Sequence, residues 1–316
     1  MNGRDRGRSS APPAPDHRLD RLAWQAGRAR RHLRWAREQG IARLVEEDGL
    51  DPRDRVATAL GKARWRRSHG VPVGTSTAVF LVGLQRSGTN MVVRGLERAP
   101  EVAVHNENSR RAFDRFRLRD DAVVADLVRR SRHQLVLFKP LCDSHRVPQL
   151  LDLDVQAAVA LWAYRAVDGR ARSALAKFGD ANLQALRAIA TTGGPGMWQA
   201  GGLGEGDLEE LRRLDPDRMS PATAAAMFWL LRNRLFFTLG LDRRPEVLLT
   251  SYEGFIAAPE AAMRRVCDHL GFPFRPELTA HVESRETPHA AALEIDPRVR
   301  RLCDELQARL DHALTN

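Results

Sequence analysis

Cysteine is scarce in this chain: three in 316 residues, Cys142, Cys267 and Cys303. They are scattered, odd in number and not spaced as metal ligands, which excludes a disulfide framework and a structural zinc site. Cys267 and Cys303 fall on predicted amphipathic helices, where a free thiol behaves as a small buried hydrophobe. Long apolar runs are missing too. No stretch of 18 or more apolar residues occurs, so no membrane-spanning helix is expected. The opening MNGRDRGRSSAPPAPD has no apolar core of the kind a signal peptide carries. These absences together point to a reduced, cytoplasmic setting. Internal repeats, zinc motifs and nucleic-acid fingerprints are absent as well, so neither a metal nor a nucleic-acid partner is expected.

Positive charge is plentiful but uneven. The formal net charge is +10, and residues 1–75 alone hold 17 Arg/Lys against 9 Asp/Glu, a difference of +8. The basicity therefore belongs to an appendage. Residues 1–17 are rich in Pro, Ser, Gly and charge, the composition of a disordered tail. From Asp20 to Glu46 the apolar Leu22, Trp24, Leu33 and Trp35 alternate with Arg28, Arg30, Arg31, Arg34 and Arg37, which predicts a basic amphipathic helix. A second, shorter helix opens at Asp51-Pro52 and ends near Arg67, before a linker at Gly70–Gly74. The expected organisation is a tail over 1–17, a basic helical extension over 18–70 and the main domain over 71–316. Such a helix suits an anionic membrane surface, which would make the protein peripheral to the inner membrane face. The plainer reading, favoured here, packs its Leu/Trp stripe on the main domain.

After the linker, apolar strands alternate with amphipathic helices. Strands are expected at 77–83, 134–139, 157–164 and 246–251. Helices are expected at 89–99, 121–131, 168–178, 220–239, 259–270 and 296–314, with a loop over 100–111 and an irregular stretch over 179–218. Strands this short and this apolar are covered on both faces. The fold class is therefore α/β: a P-loop-like parallel sheet flanked by helices, with a basic helical N-terminal extension. Ligands of such sheets sit at the C-terminal ends of the strands.

The segment TAVFLVGLQRSGTNMVVRGLER, residues 77–98, puts a glycine-framed loop between a strand and a helix. That arrangement aims backbone N–H groups and the positive end of the helix dipole at one point, where an anion is favoured. Gly83 and Gly88 have the spacing of a Walker loop, but Thr89 and Asn90 occupy its Lys-Ser/Thr positions. The cation lies inside the loop instead, at Arg86, followed by Ser87, Gly88 and Thr89.

This RSGT loop resembles the 5′-phosphosulfate loop of sulfotransferases that use 3′-phosphoadenosine 5′-phosphosulfate (PAPS). Two further segments resemble that family in the same order. AAVALWAYRAVDGRARSALAKFG (157–179) places Ser173 eight residues after Arg165, and VLLTSYEGFIAAPEAAMRRVCDHLGFPF (247–274) carries Tyr252. The resemblance covers Thr77 to Phe274. It implies PAPS as the donor, with Arg86, Ser87, Gly88, Thr89 and Asn90 around the phosphosulfate. It implies Arg165 and Ser173 on the 3′-phosphate, Tyr252 near the adenine, and Arg285 in a late basic loop. Departures exist: Asn90 replaces a threonine, and Ala166-Val167 replaces an Asp-Pro pair.

An acceptor hydroxyl must lose its proton as it attacks, so a base is needed. One branch of the family keeps a histidine two residues after a lysine; here Lys139 is present but Leu141 takes the histidine's place. Other branches use a glutamate after the first helix, and in PEVAVHNENSRRAF (100–113) that position is Glu107. Glu107 is the expected base, with His105, Asp143 and His145 in reserve, and Lys139 is expected to neutralise the bridging oxygen or the transferred group. The implied reaction moves a sulfuryl group from PAPS to a hydroxyl, less readily an amine, of a small molecule, glycan or lipid. The rival readings are a P-loop small-molecule kinase and a non-catalytic protein that binds polyanions or membrane surfaces.

Overall fold

The computed structural model describes residues 52–286 and 292–315. The helix expected between Asp20 and Glu46, and the tail before it, lie outside them. Helix α1 spans Pro52–His69, and its Trp65 ring stacks on His133 with centroids 6.0 Å apart. The linker is pinned rather than loose. Val71 N–H donates to the Arg132 carbonyl (3.1 Å), and Gly74 N–H to that of Arg129 (2.8 Å).

Strand β1 (Thr77–Gly83), helix α2 (Thr89–Arg98) and strand β2 (Val102–His105) come next. A small hairpin, β3 (Phe113–Asp114) and β4 (Arg117–Leu118), precedes α3 (Asp121–Arg129) and β5 (Leu135–Phe138). A 3-10 turn, Leu141–Arg146, leads through α4 (Val147–Leu151) to β6 (Ala157–Tyr164). Helices α5 (Val167–Phe178), α6 (Ala181–Thr192), α7 (Glu205–Arg213) and α8 (Pro221–Thr238) follow. Strand β7 (Val247–Ser251), α9 (Tyr252–Ala257), α10 (Pro259–Leu270) and α11 (Pro297–Thr315) complete the chain.

The five long strands form one parallel sheet in the order β2-β5-β1-β6-β7. The protein is thus α/β, with β1 at the centre of the sheet. Alternation along β1 divides the core, because successive side chains point to opposite faces. Ala78, Phe80 and Val82 meet Phe228, Leu231 and Leu235 of α8 and Val299 and Leu306 of α11. Val79 and Leu81 meet Val92 and Leu96 of α2 and Met263 and Val266 of α10. Both faces are dry, which is why these strands carry no polar alternation. Helix α8 starts sharply: Ser220 Oγ accepts from Thr223 N–H at 3.1 Å, with Pro221 in the first position. Among the described residues no helix is long and apolar enough to cross a membrane, and all three cysteines are free and buried.

Two stretches differ from expectation. The loop over 100–111 contains β2, a four-residue strand too short to show a period, whose pairing with β5 creates it. The irregular stretch over 179–218 contains α6 and α7. Leu183, Leu186 and Ile189 form a buried stripe on α6, and the glycines on either side end that helix without abolishing it.

Candidate active site

Each strand of the sheet ends in a residue singled out above. Following the sheet order, Glu107 lies just past β2, Lys139 past β5, Arg86 past β1, Arg165 past β6 and Tyr252 past β7. One edge of the sheet therefore presents a carboxylate, three cations and a phenol in a row.

The loop after β1 is strained where it matters. Arg86 has φ 72°, a left-handed conformation that is uncommon for a side chain of this size and that clusters at functional sites. Its Nε donates to Ser173 Oγ at 2.9 Å, so residues from two different segments meet. Arg170 braces this loop from below. It is fully buried, and donates from Nε to the Gln85 carbonyl (3.3 Å) and from Nη1 to Asn182 Oδ1 (3.0 Å) and the Ala225 carbonyl (3.1 Å). Burial, with the charge of Arg86 adding to it, pushes the Arg170 guanidinium down to about 9. Ser144 braces the other side, its Oγ accepting from Gly83 N–H at 3.0 Å. Sequence reasoning missed both residues. The one available signal was that Arg170 and Ser173 stand three apart on one face of α5.

Ser87 Oγ and Arg165 Nε are buried without a polar partner among the described residues. Arg165 lies 4.1 Å over the Tyr252 ring, and Arg285 Nη2 donates to Tyr252 Oη at 3.2 Å. Tyr252 in turn reaches the loop: a Cβ placed on Gly88 would come within 2.7 Å of its ring. Burial lowers the Arg165 guanidinium below its usual range, and Arg86 and Arg285 push the same way against Tyr252 and Glu253. Glu253 accepts from Ala166 N–H at 3.2 Å. That contact fixes the turn after Arg165, where the Asp-Pro pair is missing.

On the other side, Lys139 bridges two elements. Its Nζ donates to Asn90 Oδ1 (2.7 Å) on α2 and lies 3.1 Å from Glu107 Oε2. The reserve residues sit differently. Asp143 is fully buried, accepting from Arg117 Nε (2.8 Å) and Leu118 N–H (2.7 Å); it anchors the β3–β4 hairpin and is not placed to take up a proton. His105 Nδ1 is paired with Ser109 Oγ at 2.9 Å, and its ring stacks on Phe138. His145 lies against Gly201 and Gly202, with Nδ1 buried and unpartnered.

Three solved structures similar to this chain are sulfotransferases. A sulfotransferase from Alicyclobacillus acidocaldarius is 17% identical, with a TM-score of 0.39, over 75% of this chain and 93% of that one. A sulfotransferase domain from the curacin biosynthetic pathway is 16% identical, with a TM-score of 0.42, over 76% and 98%. The sulfotransferase domain of the Synechococcus PCC 7002 olefin synthase is 14% identical, with a TM-score of 0.38, over 78% and 95%. The sulfotransferase likeness expected from the loop and its two companion segments is met again in these structures. No family model and no curated protein matches the chain. With scores this low, the function has to come from the residues themselves.

Burial pushes His105 and His145 from 6.5 down to about 4, helped by the charge of Arg111 in the first case and of Arg232 in the second. Burial lowers His133, His269 and His281 too. Folded-state values below the unfolded one mean that the unfolded chain takes up protons first as pH falls. Stability is therefore expected to drop between about pH 6.5 and 4. Each tenfold loss of proton affinity is worth about 1.4 kcal/mol before solvent screening reduces it, so the half-buried His105 and His145 account for a few kcal/mol at most. Urea midpoints measured across that range check this. Replacing both histidines by glutamine should flatten the curve, and an unchanged slope would remove them as its cause.

Proposed function

We propose that this chain transfers a sulfuryl group from PAPS to a hydroxyl, in preference to an amine, releasing adenosine 3′,5′-bisphosphate. The observation that carries the proposal is the row of strand-end residues Glu107, Lys139, Arg86, Arg165 and Tyr252 along one edge of the sheet. PAPS brings an activated sulfuryl group on a phosphosulfate anhydride, which needs fixed donors for the charge that develops as the group leaves.

The residues present fit that donor. Arg86 and the N–H groups from Ser87 to Asn90, at the start of α2, would hold the 5′-phosphosulfate. Ser87 Oγ, buried and unpartnered, is available to the same oxygens. Arg165, Ser173 and Arg285 would hold the 3′-phosphate, and Arg165 Nε likewise lacks a polar partner. Tyr252 stands between the two groups. Lys139, already in contact with Glu107 and with Asn90 of the loop helix, would neutralise charge on the bridging oxygen. Glu107 takes the acceptor's proton as the acceptor oxygen bonds to sulfur and the bond from sulfur to the bridging oxygen breaks. A kinase assignment fares worse, because Thr89 and Asn90 fill the positions that an NTPase needs for lysine and its metal-binding hydroxyl.

Calorimetry with adenosine 3′,5′-bisphosphate, 5′-AMP and ATP tests the donor. The bisphosphate should bind best. Losing a charge-assisted contact costs about 1.5–3 kcal/mol, so Arg165→Ala should weaken it by about tenfold or more and leave 5′-AMP almost unchanged. Equal losses for both ligands would take Arg165 off the 3′-phosphate.

A further inference from the structure

The loop leaving β2 carries five arginines within residues 110–119, Arg110, Arg111, Arg115, Arg117 and Arg119, against one acid, Asp114. Both ends of this loop are fixed at the strand-end edge of the sheet. Glu107 at its start is held by Lys139, and the hairpin at its end is held by the buried Asp143. Since β2 is the edge strand opposite β7, the arginines stand on the side of the row away from Arg165 and Tyr252. That is the side of the base, not of the nucleotide.

The charge of the first two arginines is poorly compensated. Arg117 pairs with Asp143, and Arg119 donates to the Arg110 carbonyl at 3.0 Å. Arg110 and Arg111 are exposed and make no side-chain hydrogen bond or ion pair among the described residues. The charge of Arg111 nevertheless reaches His105, at the end of β2. Behind the loop, Arg232 is 3% exposed, donates to the carbonyls of Gly201 and Gln199, and leaves Nη2 without a polar partner. Its charge acts on Cys142, which also feels Glu107. Arg232 forms no ion pair among the described residues, although the Asp143 carboxylate acts on it. A buried guanidinium without a direct counter-ion is unfavourable by itself, and a cation behind the rim adds to the positive field there.

We propose that the acceptor is itself an anion: a sugar or polyol bearing a carboxylate, phosphate or sulfate ester, received by Arg110 and Arg111 while its hydroxyl reaches Glu107. This rests on the sulfotransferase reading and narrows its acceptor. The rim serves the acceptor and leaves the donor to the other end of the row.

The test is calorimetry on the full chain preloaded with adenosine 3′,5′-bisphosphate, titrated with oligogalacturonate or with its methyl ester, which keeps the hydroxyls and loses the charge. The acid should bind about fivefold or more tighter at low salt, the scale of two exposed charge pairs, and the advantage should shrink as salt rises. In an Arg110→Ser/Arg111→Ser double variant the advantage should vanish while bisphosphate affinity stays at the wild-type value. Equal or absent binding of the two saccharides overturns the proposal. A preference that survives the double substitution does so too, since it would then be read by groups other than Arg110 and Arg111. Weaker bisphosphate binding in the double variant would assign the arginines to the donor instead. Failure of the unmodified chain to bind the bisphosphate is a separate result, which removes the sulfotransferase reading and the acceptor with it.

Discussion

Replacing Glu107 by glutamine is expected to lower turnover by about 10²–10⁴-fold and to leave bisphosphate affinity unchanged. Glutamine keeps the size and one carbonyl oxygen of the side chain but cannot take up the acceptor's proton. The separation of effects follows from the layout: Glu107 lies past the edge strand β2, two strands away from the central β1 that leads into the proposed phosphosulfate loop. Lys139 would lose its ion-pair partner at 3.1 Å yet keep Asn90 at 2.7 Å, so the loop helix stays tethered. Steady-state turnover and calorimetry on the same preparation read the two effects. Unchanged turnover would move the role to His105 or His145. Joint loss of binding and turnover would make Glu107 a structural residue.

The second large effect concerns stability. Gly83→Ala should abolish most of it, by about 4 kcal/mol or more, a size reserved for a few named defects. Gly83 has φ +118°, and a Cβ there would stand 2.2 Å from the Ala163 carbonyl oxygen. Neither strand can retreat, because Gly83 pairs with Ala163 in the middle of the sheet and its N–H is already held by Ser144. A domain of this kind has about 5–15 kcal/mol in total, so the variant should be found unfolded or insoluble. Gly61→Ala is the control. That glycine sits in α1 with nothing within 4 Å of the added methyl, and the change should stabilise by about 0.5–1 kcal/mol. Urea unfolding separates the two, and a Gly83→Ala protein of normal stability would contradict the β1–β6 register.

Much of this architecture was legible in the residues. Strands β1 and β6 lie where continuous apolar runs meet Gly83 and Arg165, because a strand buried on both faces leaves no other pattern. Strand β2 was hidden, since four residues at a sheet edge take their structure from β5 and not from themselves. Helix α6 was written in Leu183, Leu186 and Ile189, but the surrounding glycines masked it. For the site, strand ends can be read and side-chain partners cannot. Arg86, Lys139, Arg165 and Tyr252 follow directly from where strands stop. That Arg86 would hold Ser173, or that Asp143 would be taken up by a hairpin 25 residues upstream, depends on how distant segments pack. Arg170 gave little warning beyond its spacing from Ser173, because a charged residue on an amphipathic helix is ordinarily solvated.

The central position of β1 has a kinetic side. Its neighbours are made long after it: Thr77 pairs with Leu135, 58 residues later, and with Ala157, 80 residues later. Strand β2, the next long one to emerge, pairs with β5 and not with β1. At about 5–20 residues per second, β1 waits roughly 4–16 s for its second neighbour after leaving the ribosome. Until β5 emerges this apolar strand has both hydrogen-bonding edges open, and until β6 emerges one remains open, the condition under which chains join one another instead of closing on themselves. The strand that leads into Arg86 is thus also the segment through which nascent copies of this protein are most apt to aggregate.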